Sequence, residues 1–137
     1  MDASFWDDKR PNGVPTTIDT AQYSSIIDVF QQACAKHGDR PAFSNMGVTL
    51  SYADLDRYSA AFAAYLQQHT NLQPGDRIAV QMPNVLQFPI AVYGAMRAGL
   101  VVVNTNPILT PHAISTHNKP TRPLALTLVY VCGHRVQ

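Results

Sequence analysis

The sequence contains no glutamate: all nine of its acidic residues are aspartates, and the last of them is Asp76. Ten Lys and Arg residues leave a net charge of +1, and only 14% of the 137 residues are charged. So small a net charge gives no field that would attract a phosphate backbone or an anionic lipid surface. The composition therefore argues against nucleic-acid binding.

Long apolar runs are also lacking. The longest, over residues 89–96, ends at Arg97 and is far shorter than the roughly 20 residues that cross a bilayer. The amino terminus is acidic where a secretory signal would be basic. The sequence has two cysteines, Cys34 and Cys132, which fits a reducing compartment, and we expect no structural disulfide. These features predict a cytoplasmic protein with no transmembrane segment.

Recognisable site motifs are missing as well. The sequence has no phosphate-binding glycine motif, no zinc-protease motif and no nucleophile elbow. The best metal-ligand candidates lie close together near the carboxyl terminus: His112, His117, Cys132 and His134. Their spacing is not that of a compact zinc module, so a role without metal is favoured. A cysteine nucleophile is disfavoured because Cys34 is predicted to be buried and Cys132 lies five residues from the end. The pattern therefore assigns no catalytic, cofactor-binding or metal-binding residue.

Hydrophobic periodicity predicts an α/β fold. The predicted elements are a helix over 24–37, strands over 41–44 and 48–51, a helix over 51–69, a strand over 76–82, a helix over 84–98 and a strand over 100–103. Ser51 and Asp54 have the spacing of a capping box, Asn84 is expected to cap the third helix, and Gly99 is expected to end it. Strand, helix and strand over 76–103 form a βαβ unit with parallel strands. The uninterrupted apolar middles of both strands predict that both are buried.

Other conspicuous side chains receive structural interpretations. Aromatic residues at helical spacing in the second helix are expected in the core rather than on a stacking platform: Tyr58, Phe62 and Tyr65. Phe5 and Trp6 are expected to pack onto the domain, because the acids and bases that follow them do not suit an anionic membrane. Asp56 and Arg57 are expected on a solvated face.

Five segments, in a fixed order, carry a resemblance to a known family. They are residues 5–14, 49–55, 63–70, 75–84 (GDRIAVQMPN) and 94–107 (GAMRAGLVVVNTNP). Together they resemble the amino-terminal part of acyl-adenylate-forming, AMP-binding enzymes, and bacterial long-chain fatty-acid CoA ligases in particular. The resemblance covers about residues 5–110, and the agreement of several separate segments makes it specific.

The resemblance implies a function and a scaffold. Such ligases use ATP and Mg²⁺ to convert a fatty acid into an acyl-adenylate and pyrophosphate, and then transfer the acyl group to coenzyme A. The family's phosphate loop, ribose-binding Asp and catalytic Lys lie beyond the region of resemblance, so no catalytic residue is carried over. We expect residues 1–110 to be an incomplete amino-terminal portion of the AMP-binding domain, inactive and without cofactor on its own. Peripheral contact with the inner membrane is implied as in that family.

After Thr110 the resemblance stops, and residues 111–137 are treated as a divergent tail. Residues 111–123 have no amphipathic period and contain prolines that break helices, so an irregular segment is predicted. Residues 124–131 suit a strand of unspecified register. A divergent end, a shifted reading frame and a fragmentary gene model would each give this pattern.

A second function is kept open: a stand-alone binding or interaction module that uses the same scaffold. A neighbouring reading frame encoding the phosphate loop would favour the ligase piece, and a defined complex of the purified chain would favour the module. In either case an incomplete parallel sheet has exposed edges, which predicts self-association.

Overall fold

The computed structural model describes Phe5, residues 9–106 and the backbone of residues 126–129. The elements are, in chain order, α1 (Ile26–His37), β1 (Pro41–Asn45), β2 (Val48–Ser51), α2 (Tyr52–His69), β3 (Arg77–Gln81), α3 (Gln87–Arg97), β4 (Val101–Asn104) and β5 (Leu126–Val129). Helices and strands are mixed as predicted, and the α/β fold class is confirmed. The predicted irregular segment, 111–123, lies outside the described residues.

A parallel sheet of three strands, in the order β4-β3-β5, is at the centre of the fold. Ile78 of β3 is aligned with Val102 of β4 on one side and with Leu126 of β5 on the other. Because α3 connects β3 to the parallel strand β4, the predicted βαβ unit is confirmed. β5 falls within the strand predicted over 124–131, and its pairing with β3 supplies the register that the sequence left unspecified.

The second helix starts where the capping pattern predicts. The Ser51 hydroxyl accepts a hydrogen bond from the Asp54 N–H (3.0 Å), and the Ser51 N–H donates to the Asp54 carboxylate (3.2 Å). These reciprocal bonds satisfy backbone groups that the first helical turn leaves unpaired. β1 and β2, which precede this helix, form the predicted antiparallel hairpin.

The main core lies where α2 and α3 pack against β3. Its buried residues are Ala63, Leu66, Ile78, Ala95, Ala98 and Leu100. Removing a side chain such as Ile78 from water contributes about 1.5–3 kcal/mol. A second buried cluster, formed by Phe30, Cys34 and Leu55, joins α1 to α2. The parallel sheet is therefore held by α2 and α3, and α1 is attached through α2.

The predicted burial of both strands is confirmed for β3 and wrong for β4. Ile78, Ala79 and Val80 are at most 1% exposed, whereas Val101 at the start of β4 is 47% exposed. β4 is an edge strand of the described sheet and pairs there only with β3. A run of valines predicts burial on both faces, but that burial also needs elements covering the strand.

The third helix begins later than predicted. Leu86, rather than Asn84, occupies the N-cap position and makes no side-chain capping bond. The Asn84 carbonyl instead accepts a hydrogen bond from the Asn45 side-chain amide (2.6 Å), which ties the residue to the hairpin. The predicted end is confirmed: Ala98 is the C-cap, and Gly99 follows with a φ of +81°, a conformation that glycine adopts without steric cost.

Candidate functional site

The carboxyl ends of β3 and β4 meet at one edge of the sheet, because the two strands are parallel. In open α/β sheets, ligands bind at this edge. The polar residues at or directly after these two strand ends in the chain are here called the carboxyl-edge cluster: Gln81, Asn84, Asn104, Thr105 and Asn106. This cluster is the candidate site of the described residues.

Hydrogen bonds fix the cluster to the sheet. The buried Gln81 side chain donates through Nε2 to the Asn106 carbonyl (3.2 Å). The Thr105 N–H donates to the Val80 carbonyl (3.1 Å), so the chain stays against β3 beyond the end of β4. These bonds hold the backbone of residues 105 and 106 against the buried strand β3.

The chemistry available at this edge is neutral. Between Ile78 and Asn106 the sequence has a single charged residue, Arg97, which lies at the end of α3. Amides and a hydroxyl can donate and accept hydrogen bonds, but they do not transfer protons near neutral pH. Among the described residues there is also no group of three His, Cys or Asp side chains that could hold a metal ion. The cluster therefore does not fit a magnesium-bound triphosphate, and we derive no reaction step from it.

A cavity of about 420 Å³ lies beside the cluster, between the hairpin and the start of α3. Its lining residues are Phe43, Ser44, Asn45, Asn84, Val85, Leu86, Phe88 and Pro89. The Asn45–Asn84 hydrogen bond crosses from one wall to the other. The lining combines apolar side chains with amides and has no charged residue, which suits an apolar occupant.

An ion pair between α2 and α3 was not predicted from the sequence. Asp56, expected on a solvated face, accepts a hydrogen bond from Arg97, whose side chain is only 14% exposed. The Arg97 guanidinium also lies 5.2 Å from the centre of the Phe30 ring, which stacks on Tyr93. Arg57, by contrast, is exposed as predicted and pairs with an aspartate on its own helix. The Asp56 side chain is 47% exposed, so its expected position on a solvated face is confirmed, and its pair with Arg97 also links the two helices.

The predicted burial of Cys34 is confirmed. Cys34 is 6% exposed and is not in a disulfide, and burial raises the pKa of its thiol. A buried thiol with a raised pKa is a poor nucleophile. The candidate metal ligands His112, His117, Cys132 and His134 all lie outside the described residues.

The aromatic predictions are partly wrong. Phe62 is half-buried, but Tyr58 and Tyr65 are 40% and 55% exposed. Small residues of α2, Ser59 and Ala63, face α3 instead. Phe5 is 55% exposed, with Lys9 Nζ 5.3 Å from the centre of its ring, and its packing onto the domain stays a prediction. Trp6 lies outside the described residues.

Residues 30–126 of this chain match the family model described as "AMP-binding enzyme". Among curated proteins, a long-chain-fatty-acid–CoA ligase of Yersinia pestis is 43% identical over 132 residues, which are 96% of this chain and 24% of the relative. The corresponding ligase of Haemophilus influenzae is 45% identical over 91% of this chain and 22% of its own length. The chain thus spans about a quarter of the length of the curated relatives it matches.

A solved structure supports the same relationship. The amino-terminal subdomain of Klebsiella oxytoca NpsA, in complex with anthranilyl-AMSN, superposes with a TM-score of 0.66 at 25% identity. The match covers 69% of this chain and 25% of that one. Fold and sequence agree on a class: the amino-terminal part of an adenylate-forming α/β domain. The chain belongs to the AMP-binding enzyme family, as the resemblance implied.

Proposed function

We propose that this chain provides the amino-terminal scaffold of a long-chain fatty-acid CoA ligase. In that reaction ATP and a fatty acid give an acyl-adenylate and pyrophosphate, and the acyl group then passes to coenzyme A. The observation that carries the proposal is 43% identity, over 96% of the chain, to the long-chain-fatty-acid–CoA ligase of Yersinia pestis. Fatty acid, ATP with Mg²⁺ and coenzyme A are the substrates and cofactors of the complete enzyme.

The proposed role is structural, because the described residues form a folded scaffold but provide no charged groups in the carboxyl-edge cluster that could act on the phosphates of ATP. Activation of a carboxylate by ATP needs positive groups at the reacting phosphoryl oxygens. The carboxyl-edge cluster contains only neutral amides and one hydroxyl. We therefore propose that the chain alone makes no acyl-CoA and binds no cofactor. The division into a family portion, 1–110, and a tail, 111–137, also remains a proposal, although the family match extends to residue 126.

Location and self-association belong to the same proposal. No helix among the described residues is long and apolar enough to cross a membrane. We propose a cytoplasmic enzyme with peripheral contact to the inner membrane. We also propose that the isolated chain self-associates through the exposed edge of β4, since unpaired strand edges are templates for pairing. Sedimentation of the purified chain tests this, and a monomer at all concentrations would contradict it.

A replacement experiment tests the scaffold role. In the Haemophilus influenzae ligase, the aligned segment of 125 residues is replaced by this chain, and we call the product the joined ligase. Acyl-CoA formation from a long-chain fatty acid is then measured, with the same ligase lacking the segment as the control. The proposal predicts activity in the joined ligase and none in the control. An inactive joined ligase would contradict the proposed function.

A further inference from the structure

The tip of the β1–β2 hairpin has an unexpected residue in a demanding conformation. The loop contains two residues, Met46 and Gly47, between the paired residues Asn45 and Val48. Both loop residues have positive φ, +49° and +78°, as in a type I′ turn. Asn, Asp or Gly is preferred at the first position, because a longer side chain is strained there. Met46 is therefore unfavourable for the hairpin itself.

Met46 is also unfavourable for the surface of the described chain. Met46 is 91% exposed, the highest value among the large hydrophobic residues that the structure describes. The tip is nevertheless held in place, since Asn45 is bonded to the Asn84 carbonyl and the Ser44 and Thr49 hydroxyls are 2.7 Å apart. Met46 combines an uncommon backbone conformation with exposure, and Val48, which lines the same cavity, is also exposed at 57%, so the tip presents a small apolar patch of the kind that marks interaction sites.

The surroundings of the tip are apolar and uncharged. A cavity of about 230 Å³ is lined by Asn45, Met46, Val48, Val85, Leu86 and Gln87. It shares Asn45, Val85 and Leu86 with the larger cavity beside the carboxyl-edge cluster. Neither cavity has a charged residue in its lining. A surface without cations does not suit phosphate groups or anionic lipid, whereas an exposed methionine among aliphatic residues suits a protein interface.

We infer that Met46, Val48, Val85 and Leu86, here called the hairpin-tip surface, form an interface with the rest of the AMP-binding enzyme. The occupant is an apolar surface of the part of the ligase that follows the aligned segment in the relatives. About three quarters of the length of those relatives lies outside the match, and that portion is available to cover the surface. The inference rests on the proposed function. It adds a specific contact, which lies at the hairpin and involves neither the carboxyl-edge cluster nor the unpaired side of β4.

A substitution with opposite effects in two settings tests the inference. Met46→Asn introduces a residue that favours the turn, so the thermal midpoint of the isolated chain should stay the same or rise. In the joined ligase the same substitution should lower the midpoint and the rate of acyl-CoA synthesis, because it places an amide in an apolar interface. The matched control is Ile18→Asn, since Ile18 is 87% exposed and lines neither cavity. It should change little in either setting.

Accessibility provides a readout that does not depend on activity. In a Met46→Cys variant, labelling by a maleimide should be at least about tenfold slower in the joined ligase than in the isolated chain, because a covered site reacts only after local opening. An Ile18→Cys variant should label equally fast in both. A folded joined ligase in which both positions label equally fast would overturn the inference and leave the proposed function intact. A joined ligase that neither melts cooperatively nor makes acyl-CoA would overturn the proposed function and, with it, the inference.

Discussion

At Gly94, α3 packs so closely against α2 that there is no room for a side chain. A Cβ atom added at this position would lie 2.7 Å from Cδ1 of Phe62 and 2.9 Å from the carbonyl oxygen of Ser59. The phenyl ring of Phe62 can move aside, but the Ser59 carbonyl belongs to the helix backbone. Gly94→Ala therefore requires α2 and α3 to separate.

Two opposing effects determine the result of Gly94→Ala. In a helix interior, alanine is favoured over glycine by about 1 kcal/mol. Overpacking a core costs about 1–3 kcal/mol, and contact with backbone places this position near the upper end. The net expectation is a loss of about 2 kcal/mol of unfolding free energy, or very roughly 8 °C in the melting midpoint for a chain of this size.

Urea unfolding followed by far-UV circular dichroism measures this change. Ala60→Gly, on the exposed face of α2, is the control for helix propensity and should cost about 1 kcal/mol. If Gly94→Ala raised the midpoint, propensity would outweigh packing. That result would contradict the close packing of α2 against α3 at Gly94.

Three further predictions concern single side chains. Asp56→Asn should cost about 1–2 kcal/mol, because Arg97 would keep its buried position without a charged partner, while the partial exposure of Asp56 limits the loss. A double-mutant cycle with Arg97→Met should show coupling, and additive effects would contradict the ion pair. Hydrogen bonds from Ser51, followed by the one from Arg57, lower the pKa of Asp54. The carboxylate therefore stabilises the fold fully above its unfolded pKa of about 3.9, and this contribution disappears as the pH falls through the lower folded pKa. The stability difference between wild type and Asp54→Asn should accordingly shrink below about pH 4, and a constant difference would refute this linkage. Cys34 should react with a thiol reagent only on unfolding, since it is buried and its thiol pKa is raised; rapid labelling of the native chain would contradict its placement.

Features determined by neighbours in the sequence could be predicted. The capping box at Ser51 and Asp54 involves residues three apart, and the hairpin turn follows from the glycine at position 47. The end of α3 likewise depends on Gly99, directly after the helix. At Ser51, Gly47 and Gly99 the local chemistry and the final fold favour the same conformation, whereas Met46 in the same turn as Gly47 is an exception.

Features determined by distant residues could not be predicted. Asn84 has the chemistry of a helix cap, yet its carbonyl is bonded to a side chain 39 positions earlier. Asp56 has the pattern of a solvated residue, but its partner Arg97 is 41 positions away. The exposure of β4 depends on which elements cover it, and three valines in sequence carry no information about that.

The candidate site likewise has a part that local sequence predicts and a part that depends on distant residues. The strand ends that carry Gln81 and Asn104 could be located from the pattern of apolar runs, since parallel strands end at one edge. The cavity beside them could not, because it is formed by a hairpin some 40 residues earlier in the chain. Met46 itself had no signal beyond the rarity of methionine before glycine in a tight turn.

The central claim is that this chain is scaffold and performs no adenylation alone. The most direct measurement is pyrophosphate release by the purified chain with ATP, Mg²⁺, coenzyme A and a long-chain fatty acid, with the joined ligase as the positive control. The account predicts no release above a protein-free blank from the chain, and release from the joined ligase. Fatty-acid-dependent pyrophosphate release by the chain alone would contradict the claim, because the chain would then have to contain catalytic groups beyond the neutral carboxyl-edge cluster.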